Sequence, residues 1–163
     1  MSDDPQSDFS VCLTFGYKDR KWWLLDVYRR QMEFPDLKQQ ALRLQSEWQA
    51  DRVVIERKGS GISLLSELRS VDAQRATFTG YTPRLDKEQR LRGQTAKLAD
   101  GLICLPETAD WLATFRHELN GFPNARYDDQ VDAFSQFLEH LSWRGGAFVF
   151  PDEPRRRQRS RRR

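Results

Sequence analysis

The segment Arg52-Val53-Val54-Ile55-Glu56, followed at once by Arg57-Lys58-Gly59-Ser60-Gly61, constrains this chain more than any other. A short β-branched run without polar alternation is what a strand covered on both faces looks like. The Gly-Ser-Gly break stops it, and residues 62–68 resume at helical spacing. A fully buried strand running straight into a helix belongs to a layered α/β body, not to an all-β sandwich or a helical bundle.

The flanking segments agree. Residues 8–17 (DFSVCLTFGY) are rich in β-formers and close in a turn across 16–20; residues 22–29 (WWLLDVYR) return as a second strand, so the pair reads as a hairpin. Phe34-Pro35 opens a helix whose apolar face runs through Leu37, Ala41, Leu42 and Leu44 to Trp48. Residues 76–81 form a further strand candidate. A polar, basic helix is expected over 87–99, stopped by Asp100-Gly101, before the short apolar run 102–105. Residues 111–119 are amphipathic and end at Gly121-Phe122-Pro123. The last helix is predicted over 128–143, with Val131, Phe134, Phe137, Leu138 and Leu141 at helical spacing. A hairpin followed by strand–helix alternation predicts a mixed sheet with helices on its faces.

With 163 residues, 38% hydrophobic and 12% aromatic, the chain can bury one core but not two of ordinary size. The body is placed at 1–150. The last thirteen residues carry seven arginines against Asp152 and Glu153, a balance of +5, which leaves −2 of the overall +3 for the rest. Such a segment, 151–163, has too little apolar surface to fold and is expected to be disordered. It would meet nucleic acid only through salt-dependent phosphate contacts, or would simply be a solvated end. No apolar run approaches the roughly 18 residues of a membrane span, and the first ten residues lack the apolar core of a signal peptide. Cys12 and Cys104 each sit in an apolar stretch, which suits buried thiols of a reducing cytoplasm better than a disulfide or metal framework.

Glu56 ends the strand 52–56 where open α/β sheets bind ligands. The glycines after it permit close backbone approach, and the next helix can offer N–H groups to a phosphate. It is equally a solvated acid leaving a strand, with Ser60 capping a helix. Asp128, Asp129 and Asp132 stand at i, i+3 and i, i+4 spacing on one helix. Asp128 also suits an N-cap and Asp129 the helix dipole, whereas Asp132 lies beside apolar positions and wants a partner. Converging carboxylates without His or Cys clusters fit Mg²⁺ or Mn²⁺ rather than zinc. His117 and His140 read as surface or helix-end residues. Arg84, Lys87, Arg90 and Lys97 could line a DNA groove or belong to an exposed mixed-charge helix. Trp22, Trp23 and Trp111 read as core aromatics rather than stacking platforms.

Taken in order, DFSVCLTFG, WWLLDVYRRQMEFPDL, VVIERKGSG, DKEQR, GLICLPE, ELNGFP and DDQVDAF resemble the C-terminal nuclease domain of phage terminase large subunits, over roughly residues 8–140. The resemblance implies a ribonuclease-H-like fold and a two-metal endonuclease that cuts concatemeric viral DNA during packaging. It makes Glu56, Asp129 and Asp132 the candidate catalytic acids, and adds Asp128 as a candidate metal ligand. It makes Lys58, Ser60, Lys87 and Arg90 the candidate DNA contacts. It implies double-stranded DNA, a terminase ATPase chain, the small terminase subunit and the portal as partners in the cytoplasm of a bacterial host, with no membrane.

Two departures qualify it. No G-x-x-x-x-G-K-[ST] phosphate loop is present, so no packaging ATPase is expected within these residues. The family's first strand, which carries a catalytic Asp, has no counterpart before Asp8, because Asp3 and Asp4 lie in a polar, Pro-interrupted stretch. The expectation is therefore a sheet short of its first strand and a weakened metal site. On that reading, catalysis by this chain alone is doubtful, and an inactive fragment or a DNA-binding accessory module are the alternatives. A junction resolvase or transposase of the same fold fits the DDQVDA ending less well.

Overall fold

A computed structural model of the chain describes residues 9–70, 77–94 and 98–143; the arginine-rich segment and Asp3, Asp4 and Asp8 lie outside the described residues. β1 (Ser10–Lys18) and β2 (Lys21–Arg30) form the expected antiparallel hairpin. Its turn is tighter than 16–20: Asp19 and Arg20, at φ 54° and 62°, supply the two left-handed residues whose twist suits a two-residue hairpin loop. Gly16 is inside β1 instead, where any Cβ would come within 2.9 Å of Leu25 Cδ1. A register shift between Thr14 and Phe15 lets Leu13, Phe15 and Tyr17 lie opposite Val27, Leu24 and Trp22. Beside β2, the two-residue β5 (Ile103–Cys104) runs parallel, anchored by Trp22 N–H donating to Leu102 O at 2.8 Å.

Two helices, α4 (Leu112–Gly121) and α5 (Asp129–Trp143), close one core against this sheet. Leu24, Val27, Phe115, Phe134 and Leu138 are its buried centre. Phe15 stacks on Phe137 with ring centres 3.6 Å apart, while Phe115 meets Phe134 edge-on at 5.6 Å. The edge-on pair is a favoured aromatic arrangement, and each fully buried side chain contributes roughly 1.5–3 kcal/mol by burial.

The other half is a parallel pair. β3 (Arg52–Glu56) and β4 (Thr77–Tyr81) are joined through α2 (Ser60–Ser70), with α1 (Phe34–Trp48) beside it. Leu64, Leu65, Leu68 and Phe78 make a second apolar cluster, onto which Phe34, Leu37, Ala41, Leu42, Val53 and Ile55 pack. Val53 and Ile55 point one way along the pleat and Val54 the other. Val54 is 40% exposed, so β3 is not the fully covered strand that its composition predicts. Its apolar partners come from one face only, and β4 is its one ladder partner among the described residues. The fold is the expected α/β arrangement of helices on a mixed sheet. Its strands divide into a mixed trio, β1-β2-β5, and the parallel pair β3-β4.

α3 (Lys87–Gly93) starts where expected, its N-terminus capped by Asp86 accepting Gln89 N–H at 2.9 Å. It ends well short of residue 99, with Gln94 as its C-cap after the helix-weakening Gly93. α3 lies along α5, and that contact builds the site below. Cys12 and Cys104 are both free thiols. Burial, with the Asp26 carboxylate beside it, pushes the Cys12 thiol up to about 11, which makes it inert at neutral pH. No described helix is long and apolar enough to cross a membrane.

Candidate active site

β3 delivers Glu56 to its carboxyl end, and the next residues decide how closely α2 can follow. Gly59 takes a left-handed φ of 53°. At Gly61 any Cβ would stand 2.0 Å from the Glu56 carbonyl oxygen, so only glycine lets the first turn of α2 meet the strand end. Lys58 and Ser60 are exposed at that junction. Glu56 is in register with Tyr81 on β4, and Arg57 N–H donates to Tyr81 O at 2.7 Å. In a parallel pair register partners share a face, so Glu56 and Tyr81 lie on the Val54 side, away from the α1–α2 core. Among the described residues no hydrogen bond or ion pair engages the Glu56 carboxylate; its charge is felt at the Tyr81 hydroxyl.

The acids of α5 are in the opposite condition. Lys87 Nζ lies 2.7 Å from Asp128 Oδ2 and 3.9 Å from Asp132 Oδ2. Arg90 Nη2 donates to Asp132 Oδ1 in a short contact. Asp129 Oδ2 is 4.0 Å from Arg29 Nη2. Asp128 immediately precedes the helix, with its carbonyl accepting Asp132 N–H at 2.8 Å and its carboxylate paired with Lys87. The resemblance makes Lys87 and Arg90 candidate DNA contacts, and the alternative is an exposed mixed-charge helix; Arg90 is only 4% exposed. Its Nη1 donates to Leu85 O at 2.6 Å and its Nε to Ser135 Oγ at 3.1 Å. The guanidinium is thus covered and occupied by acceptors of the protein itself, and Lys87 is paired with Asp128.

Four participants escape sequence reasoning. Glu139, 3% exposed, accepts a short hydrogen bond from the Tyr81 hydroxyl and lies 4.0 Å from Arg90 Nε. Burial, and after it the Glu139 hydrogen bond, push the Tyr81 phenol above its ordinary range. The sequence signal for Glu139 was present: Asp128, Asp132, Ser135 and Glu139 recur at 4-3-4 spacing, a polar stripe beside the apolar one. Glu118 of α4 is buried and accepts Gln130 N–H at 2.7 Å, which satisfies an orphan donor in the first turn of α5 from a neighbouring helix. Arg29, 3.9 Å from Glu118, lies over the Phe9 ring at 3.5 Å and the Tyr127 ring at 5.1 Å. No local spacing announces either residue, since their partners are distant in sequence.

The histidines sit in different surroundings. His117 is exposed, and His140 meets the Tyr81 ring edge-on at 6.0 Å. Trp22 packs against Phe137 and Trp111 against Phe115, as core aromatics do, whereas Trp23 is an exposed large apolar side chain.

The donor chemistry around Glu56 and α5 is carboxylate oxygen, the kind that Mg²⁺ and Mn²⁺ prefer. Its geometry falls short of a cage. No group of three acid, His or Cys side chains that could hold a cation occurs among the described residues. Asp128, Asp129 and Asp132 meanwhile carry the protein's own cations.

Compared with known proteins, residues 2–141 match the model of a family described as the terminase RNaseH-like domain. No curated protein matches the chain.

Proposed function

Because the chain belongs to the terminase RNaseH-like domain family, we propose that it is a nuclease-type module that hydrolyses phosphodiester bonds of double-stranded viral DNA during genome packaging. The reading assigns Glu56 and Asp132 as the principal carboxylates, with Asp128 and Asp129 beside them. It takes Mg²⁺ or Mn²⁺ as the required cation, which in such sites activates water and steadies the leaving oxygen. The carboxylates among the described residues do not by themselves complete a cage for it. Lys58, exposed just before the start of α2, is the side chain proposed to meet a DNA phosphate. A terminase ATPase chain, the small subunit and the portal are the proposed partners, in the cytoplasm of a bacterial host. Residues 1–150 are proposed as the nuclease body and 151–163 as a separate basic tail.

One observation carries this reading. Glu56, at the carboxyl end of a parallel strand, stands in register with Tyr81, whose hydroxyl reaches the same face of α5 that presents Asp132. The end of the Glu56 strand pair thus contacts the acid-bearing helix through Glu139, two turns along it from Asp132, which supports this reading. The contrary observation is that every α5 acid named above already has a protein cation. That favours a second reading, in which the module binds DNA without cutting it.

Incubation with supercoiled plasmid and Mn²⁺ separates the two. The first reading expects nicked and linear DNA, lost on chelation and lost in Glu56→Ala and Asp132→Ala. No cleavage by the wild-type chain, with DNA retention that persists in both variants, establishes the second. Cleavage that survives both substitutions overturns the site.

A further inference from the structure

The two apolar clusters are built from different elements, one around β2, α4 and α5 and the other around α2 and β4. Glu56 belongs to the second half and Asp132 to the first. Between them runs a chain of polar side chains. Tyr81, the last residue of β4 and the register partner of Glu56, sends its hydroxyl to Glu139 of α5. Glu139 lies beside Arg90 Nε, and Arg90 Nη2 ends on Asp132. We propose that Tyr81, Glu139 and Arg90 are positioning residues that fix the direction of the Asp132 carboxylate and tie it to the end of β4, beside which Glu56 leaves β3. The proposal rests on the nuclease reading of those two acids.

Its physical basis is how fully each member is constrained. A carboxylate as buried as Glu139 needs donors and countercharge, and Tyr81 and Arg90 supply one of each. The guanidinium is a rigid planar fork, and its three nitrogens are directed at Leu85 O, Ser135 Oγ and Asp132 Oδ1. Ser135 donates back to Asp132 O at 2.9 Å, so the side chain and backbone of Asp132 are referred to the same frame. Rotation of any one group breaks a bond made by another. A patch of core serving stability alone would not need this, since apolar side chains of equal volume hold helices together as well or better. The arrangement fixes direction, which is what a carboxylate at a reactive centre needs.

The test is nuclear magnetic resonance on the complete 163-residue chain, following the Arg90 Nε–H signal and the Asp132 and Glu56 carboxyl signals, with the remote Lys38–Glu67 pair as control. Tyr81→Phe keeps the ring and removes one hydroxyl. It touches neither Arg90 nor Asp132, yet the expected result is a displacement of both their signals while the Lys38–Glu67 signals stay still. Glu139→Gln, which keeps an acceptor for Tyr81 but removes the charge beside Arg90, should leave Glu56 closer to wild type than Tyr81→Phe does. Arg90→Lys should keep the charge and lose the Asp132 signal position, because an ammonium has no fork. Unmoved Asp132 and Arg90 signals in Tyr81→Phe would overturn the proposal, as would full rescue by Arg90→Lys. A Mn²⁺ titration of the wild-type chain reads the nuclease assignment separately. If neither carboxyl signal broadens, that assignment falls, while displaced signals in Tyr81→Phe still uphold the linkage.

Discussion

The end of β3 and the first turns of α5 both carry acids, under opposite electrical conditions. Glu56 leaves its strand with no hydrogen bond or ion pair on its carboxylate among the described residues, next to a loop of exposed residues. Asp128, Asp129 and Asp132 are matched by Lys87, Arg29 and Arg90, and behind them the buried Glu118 and Glu139 are matched too. The difference teaches that acid content alone does not define a site. One region holds a carboxylate ready to accept a partner; the other holds carboxylates whose directions are already set by the protein.

Substitutions should break this contrast unequally. The largest effect is expected at Arg90. Arg90→Met strips Glu139 of its cation and Ser135 and Leu85 O of a donor, and uncompensated buried charge of this kind costs about 3 kcal/mol or more. Denaturant unfolding measures it, and a loss below about 1 kcal/mol would mean that the network is slack. Glu118→Ala comes next. It leaves the Gln130 N–H without its buried acceptor, at an expected cost of about 2 kcal/mol, and circular dichroism should show earlier melting of helix. Lys87→Ala removes a pair whose Asp128 partner is 44% exposed, so unfolding should shift by about 0.5 kcal/mol and less in high salt. Glu56→Gln is the smallest: with no bonded partner to lose, it should change stability by less than about 0.5 kcal/mol while abolishing any Mn²⁺-dependent cleavage. A large loss of stability there would show that Glu56 is as embedded as the α5 acids.

Much of the fold could be read from the residues, and the failures have a common cause. The hairpin, α1, the βαβ unit and α5 follow from periodicity and turn chemistry, which are local. What misled was β3, where Val-Val-Ile suggests cover on two faces. Cover is a property of neighbouring elements, and α1 and α2 supply it on one side only. The helix expected over 87–99 stops at Gly93 because local charge pattern says little about where packing ends.

The candidate site divides in the same way. Glu56 and the DDQVD acids were visible as acids at a strand end and a helix start. That Arg90 is interior was hidden, since its partners lie 42 and 45 residues away in sequence. Tyr81, 58 residues from Glu139, had no local mark at all.

The division into two apolar clusters has a consequence for how the molecule comes apart. Each cluster is sealed by its own helices, while the contacts described between them, Tyr81 with Glu139 and with the His140 ring, are few and partly polar. Apolar contact spreads cooperativity through shared burial, whereas a hydrogen bond can be exchanged for water at modest net cost. The β3–β4 unit can therefore open while the aromatic half stays closed, as a separate cooperative unit. Amide hydrogen exchange should resolve two classes of protection, with the slower one in β2 and α5, and the Glu56 end of the site should be the first to come and go.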